Sequence, residues 1–129
     1  MTTIGRSVPR KEGRAKVTGA ARYVDDVTMP GMLYGATVRS PVPRGIIRGI
    51  RYTSGIPWDE LTIVTAADIP GRNVVALIAD DQPYLADTHV NHSEEPIILL
   101  AHHDRELVAE ARRHVVVDIE PLTPVLTIS

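Results

Sequence analysis

Four imidazoles and a set of carboxylates are the residues that could do chemistry here. His89-x-x-His92 and His102-His103 stand near Asp87, Glu94, Glu95 and Asp104. That composition suits a divalent metal, since neutral imidazole and carboxylate are the usual ligands when thiolate is absent. The spacing works against it. A separation of three brings two His to one face only on a helix, and residues 89–92 have no helical pattern. Adjacent His102 and His103 point apart in an extended chain. The acidic pairs Asp25-Asp26, Asp80-Asp81 and Glu94-Glu95 are neighbours in sequence, whereas acid–base catalysis needs carboxylates converging from different directions. All three read as turn residues.

Other signatures are weaker still. Gly31-x-x-x-Gly35 lacks the Gly-Lys-Ser/Thr end of a phosphate loop, and Gly5, Gly13 and Gly19 have no strand–loop–helix setting. Ser7, Ser40, Ser54 and Ser93 have no nucleophile-elbow context. Tyr23, Tyr34, Tyr52, Trp58 and Tyr84 are too scattered for a base-stacking platform, and Trp58 reads as a lid over one core edge. No catalytic, cofactor-binding or metal-binding residue is assigned. Cysteine is absent, which removes thiolate zinc sites, iron–sulfur ligation, disulfides and a Cys nucleophile.

The elements that must position these residues are those of one domain. With 129 residues and 43% apolar content the chain can bury a core; with 4% aromatics and no Phe, that core is Val, Ile, Leu and Ala. A net charge of -2 argues against a general nucleic-acid role. The N-terminus lacks the apolar stretch of a signal peptide, and the longest apolar run, Pro96 to Ala101, is far short of a membrane span. A cytoplasmic protein is expected. Arg6, Arg10, Lys11, Arg14, Lys16 and Arg22 face only Glu12 over residues 1–22, giving a basic arm, read as extended over residues 1–19.

Beyond it, residues 20–129 predict one mixed α/β domain. Short strands are expected at Ala20–Val27, Met32–Arg39, Gly45–Tyr52 and Leu61–Thr65. Val74–Ile78 is strand-like, and residues 84–94 are mostly loop with a short strand. Pro96–Ala101 reads as a buried strand, and Val115–Ile119 as the last one. Ala66–Ile69 reads as a helical turn. The main helix is predicted over about residues 104–114, capped by Asp104. Leu107, Val108 and Ala111 face the sheet, while Arg105, Glu106 and Arg112 face water. The order strand, helix, strand at the end leaves room for a crossover connection within one sheet.

The motifs have a distinctive order. Pro9-Arg10-Lys11-Glu12-Gly13 precedes Lys16-Val17-Thr18-Gly19-Ala20-Ala21-Arg22-Tyr23-Val24-Asp25. Pro30-Gly31-Met32-Leu33 and Arg39-Ser40-Pro41 follow, and late in the chain come Glu94-Glu95-Pro96-Ile97 and Val115–Pro121. This series resembles the start of the molybdopterin-binding large subunit of the xanthine dehydrogenase and aldehyde oxidase family. The family has Gly where this chain has Glu94, and Tyr where it has Ile119.

The resemblance implies an α+β hammerhead-type domain with a mixed sheet, and a structural and assembly role in a molybdenum hydroxylase. It carries no catalytic or cofactor-binding residue onto this chain. Molybdopterin, iron–sulfur clusters and FAD would be held elsewhere in the full enzyme. The implied partners are the remaining domains of the molybdenum subunit and an iron–sulfur subunit or domain, with no nucleic acid and no membrane. A homo-oligomer of the isolated domain, formed through exposed apolar surface or a free strand edge, is a further expectation. A stand-alone binding or adaptor module of the same fold is the alternative reading.

Overall fold

The structure, a computed structural model, describes residues 4–75 and 78–127. It divides into two compact units, residues 1–32 and 33–129, each taken by itself below.

The first unit departs from an extended arm at one place. Gly13–Val17 forms a short helix, α1. Glu12 precedes it and lies 3.6 Å from Lys16, one turn on, so opposite charges flank the turn. The helix ends in a Schellman motif. The Gly19 N–H donates to the Lys16 carbonyl at 3.3 Å and the Ala20 N–H to the Ala15 carbonyl at 2.8 Å. That ending requires a left-handed residue, and Gly19 has φ 71°. The expected strand at Ala20–Val27 is instead a 3₁₀ turn, Val24–Asp26. The Asp26 carboxylate accepts from the Tyr23 N–H at 2.9 Å and the Asp26 N–H donates back to the Tyr23 carbonyl at 3.0 Å. An acidic side chain bonding locally competes with strand pairing.

The second unit holds six strands and the main helix: β1 Tyr34–Arg39, β2 Gly45–Tyr52, β3 Thr62–Val64, β4 His89–Val90, β5 Pro96–His102, α2 Arg105–Arg113 and β6 Val115–Pro121. They form two three-stranded sheets, ordered β1-β5-β3 and β4-β2-β6. Every pairing is antiparallel. The expected α+β class stands. The connection within it differs from a crossover: β5 and β6 belong to different sheets, and α2 carries the chain from one to the other. β5 already has β1 on one side and β3 on the other, so it has no edge left for a parallel partner. β6 pairs with β2 instead, where Arg51 grips Asp118 through two hydrogen bonds of 2.8 and 2.9 Å.

β5 is the centre of the core. Ile97, Ile98 and Leu100 are fully buried, joined by Val38, Leu61, Ala86, Val90, Val108 and Ala111. Two adjacent buried Ile explain why this strand reads as a continuous apolar run rather than an alternation. The helix register is as the periodicity predicts, with Val108 and Ala111 buried and Arg105, Glu106 and Arg112 exposed. Leu107 is only half-buried. Asp104 caps α2, accepting from the N–H groups of Glu106 at 2.8 Å and Leu107 at 3.2 Å. Gly45 opens β2 at a close approach: a Cβ there would lie 2.4 Å from Ile119 Cγ2 and 2.9 Å from the Glu120 carbonyl oxygen.

Val74 and Val75 are in irregular chain, and residues 76–77 of that expected strand lie outside the described residues. Asn73 explains the irregularity. Its side chain donates to the Leu85 carbonyl at 2.6 Å and accepts from the N–H groups of Tyr84 and Leu85 at 3.0 and 3.2 Å. Those bonds take the places a strand ladder would use.

Candidate functional site

Two motif segments separated by more than fifty residues meet in one junction. The Ser40 N–H donates to the Glu95 carbonyl at 2.9 Å, and the Glu94 N–H donates to the Ser40 carbonyl at 3.0 Å. Arg39 Nη1 donates to the Glu94 carbonyl at 2.8 Å. The Ser40 hydroxyl donates to the Val42 carbonyl at 2.8 Å, and its oxygen faces the Val42 N–H at 3.2 Å. Among the described residues, Ser40 and Glu95 are the buried polar ones, 0% and 2% exposed. The Glu95 carboxylate accepts from the Asn91 N–H, and His92 Nε2 stands 4.0 Å from it. A buried carboxylate is costly unless it is hydrogen-bonded, and the Asn91 N–H supplies such a bond while the Glu95 backbone is tied to Ser40. Glu94 sits at φ 62°, a left-handed conformation that favours glycine. The resemblance places Gly at this position, and the geometry gives the reason.

The histidines are dispersed in local bonds. His89 Nδ1 is 2.9 Å from Thr88 Oγ1 on the exposed end of β4. His92 Nδ1 is 2.9 Å from the Ser93 carbonyl. His102 Nδ1 accepts from the Asp104 N–H at 3.0 Å, and the His102 and His103 rings lie 6.0 Å apart, edge to face. Among the described residues no three His, Asp or Glu side chains come together as a group that could hold a metal ion. Asp80 pairs with Arg72, and Asp26 caps its turn as above.

One cluster escaped the sequence reading. Thr53 Oγ1 lies 2.9 Å from His114 Nδ1, and His114 Nε2 lies 3.2 Å from Glu110 Oε1. Hydroxyl, imidazole and carboxylate in line resemble a nucleophile and its base. Here they fasten α2 to the end of β2, because the Thr53 N–H also donates to the His114 carbonyl at 3.0 Å. Trp58 closes the same corner. Its indole N–H donates to the Thr53 carbonyl at 2.8 Å, and its ring lies 4.9 Å from that of Tyr52. The available signal was His114 at the end of the predicted helix, one turn after Glu110.

The shifted titrating groups are structural too. The hydrogen bonds from Arg51 hold Asp118 below the usual carboxylate range, and Arg51 is raised in return. Asp68 is lowered by the backbone and then the hydroxyl of Thr65. Burial, with a smaller contribution from Asp68, raises Tyr52.

Hollows mark the surface of the second unit. One of 290 Å³ lies between β1, the turn before β5 and the start of β6, with Arg39, Glu94 and Arg112 on its wall. An apolar one of 410 Å³ is lined by Ile69, Tyr84, Leu85, Pro96 and Leu99. Another, of 560 Å³, runs along α2 beside Asp104, Glu106, Glu110 and Arg113.

The family described as aldehyde oxidase and xanthine dehydrogenase, a/b hammerhead domain, matches residues 18–123. The chain belongs to that family. It is similar to a probable xanthine dehydrogenase component of Bacillus subtilis, 32% identical over 114 residues that make up 88% of this chain and 15% of that protein. It is 37% identical over 112 residues to the carbon monoxide dehydrogenase large chain of Afipia carboxidovorans, covering 84% of this chain and 14% of that one. Among solved structures, the reconstituted CO dehydrogenase from Oligotropha carboxidovorans superposes with a TM-score of 0.79 at 33% identity, over 92% of this chain and 15% of that chain. The chain spans about 15% of the length of these relatives.

A relative from Eubacterium barkeri is named a nicotinate dehydrogenase large molybdopterin subunit, so the fit of that cofactor can be tested against the hollows. A pterin carrying a phosphate needs cationic and hydrogen-bonding donors around a deep site. The 560 Å³ hollow presents Asp104, Glu106 and Glu110, which repel phosphate. The apolar one offers no cation. The 290 Å³ hollow has two arginines, but it also carries Glu94 and is small. Among the described residues, the linings of these three hollows do not fit the cofactor.

Proposed function

We propose that this hammerhead domain is a packing and assembly element of a molybdenum hydroxylase large subunit, not catalytic alone. The observation that carries the reading is the open apolar hollow on the β1-β5-β3 sheet. Leu99, in the central strand, is 38% exposed, and Tyr84 beside it is 55% exposed. An apolar surface left open at the middle of a sheet is a contact surface. In this reading the remaining domains of the molybdenum subunit cover it, and an iron–sulfur subunit or domain, with FAD on a further partner, completes the electron path. Molybdopterin is bound by residues outside this chain. In this reading the domain proper covers residues 20–129 behind an arm at residues 1–19; the start of the family match at Thr18 supports the reading, and the compact units divide later, between residues 32 and 33. A cytoplasmic location accompanies the reading. Among the described residues no helix is long and apolar enough to cross a membrane.

The test is elemental analysis of the purified chain together with dye reduction by aldehydes, purines or carbon monoxide. No bound molybdenum and no turnover are expected. Stoichiometric molybdenum with turnover would overturn the reading.

A further inference from the structure

We infer that the 290 Å³ hollow is a socket for the carboxylate of an acidic side chain on a neighbouring polypeptide. The inference rests on the assembly reading and names the chemistry of one contact within it. Arg39 and Arg112 stand on the wall of the hollow with Glu94, over an apolar floor that includes Val38, Val115 and Val117.

Two observations converge. Arg39 is oriented, since its Nη1 is held by the Glu94 carbonyl at 2.8 Å while the rest of the guanidinium stays available. Arg112, on the last turn of α2, makes no ion pair or side-chain hydrogen bond with any described residue, although its neighbour Arg113 pairs with Glu110. Two guanidiniums against one carboxylate leave one positive charge in excess, which a second carboxylate would balance. Arginine is suited to that task because it grips carboxylate with two parallel N–H bonds. The apolar floor accommodates the methylene stem of Asp or Glu. The space is that of a side chain rather than of a cofactor.

The probe is N-acetyl-glutamate α-amide, titrated into the isotopically labelled 129-residue chain, with N-acetyl-glutamine α-amide as its neutral isostere. Saturable amide shifts are expected at Thr37, Val38, Val115 and Val117, about tenfold weaker for the glutamine probe. Arg112→Gln should weaken binding about tenfold. Arg105→Gln, on the same helix and outside the hollow, should leave it unchanged. Arg112 is exposed and unpaired among the described residues, so its substitution leaves the fold intact, and Arg39→Lys provides a second variant expected to weaken the glutamate probe. Equal binding of both probes, wild-type binding by Arg112→Gln, or no saturable shift would each sink the proposal. None of these outcomes touches the molybdenum measurement, so the two readings fail separately.

Discussion

The motif at Lys16–Asp26 and the junction of Arg39–Pro41 with Ser93–Pro96 carry the resemblance equally well, yet they are held by different physics. The first is knit from bonds no more than a few residues long: the Schellman ending at Gly19, the Asp26–Tyr23 bonds, and Lys16 Nζ placed 5.8 Å from the Tyr23 ring centroid. Its apolar side chains stay out, with Val17 86% and Val24 89% exposed. The second is knit across the chain and closed around buried Ser40 and Glu95. A motif can thus be a local shape or a long-range joint, and only the second kind is bound up with the stability of the core.

The sharpest way to break this comparison is to truncate one apolar residue in each region. Ile98→Ala removes a fully buried side chain from β5 and should cost about 2–5 kcal/mol. Val24→Ala removes an exposed one and should stay within about 0.5 kcal/mol. Urea denaturation followed by circular dichroism measures both. Equal losses would mean that the first motif is part of the core after all.

The joint itself should give the next largest effect. Glu95→Ala leaves the Asn91 N–H without its carboxylate acceptor and removes a side chain that is 2% exposed, for an expected loss of about 1–3 kcal/mol. Glu94→Gly should act the other way, because it relieves a left-handed non-glycine residue, with a gain of about 1 kcal/mol or less after the added freedom of the unfolded chain. Gly19→Ala strains the same backbone region in the locally held motif. It should perturb the amide shifts of Ala20 and Ala21 while leaving the denaturation midpoint in place. A lowered midpoint for Gly19→Ala, or a destabilising Glu94→Gly, would erase the distinction.

That distinction also governs what could be read in advance. The strands at β1, β2 and β5, the Asp104 cap and the buried pair Val108 and Ala111 were legible because alternation, apolar runs and capping are local signals. The separation into two sheets was not legible. Pairing partners depend on which edges remain free, and nothing in the sequence near β6 announces that both sides of β5 are taken. The 3₁₀ turn at Val24–Asp26 went unread for a smaller reason: β-branched Val beside Tyr suggests a strand, and one Asp side chain overrides it. At the site level the order of the motifs identified the family. Their convergence at Ser40 and Glu95, and the bond of Thr53 to His114 in the clasp, were not legible because those partners lie more than fifty residues apart.

The smallest expected effect concerns charge on the β4-β2-β6 sheet. Asp118 is depressed by its hydrogen bonds from Arg51, so the folded chain holds this proton less tightly than the unfolded chain does. Its stabilisation is therefore fully present above the ordinary carboxylate range, about pH 4, and is lost as the pH falls through the lower folded value. Both side chains are well exposed, so solvent screens the pair and the effect is small. Arg51→Gln should leave Asp118 near the ordinary range and flatten that part of the acid limb, with little change at neutral pH. Carboxyl shifts of Asp118 followed by NMR, alongside acid denaturation of the variant, measure the midpoint and the linkage together. An unchanged Asp118 midpoint in Arg51→Gln would show that Arg51 does not set it, and the pairing of β2 with β6 would then rest on its backbone ladder and the Arg48–Glu120 ion pair.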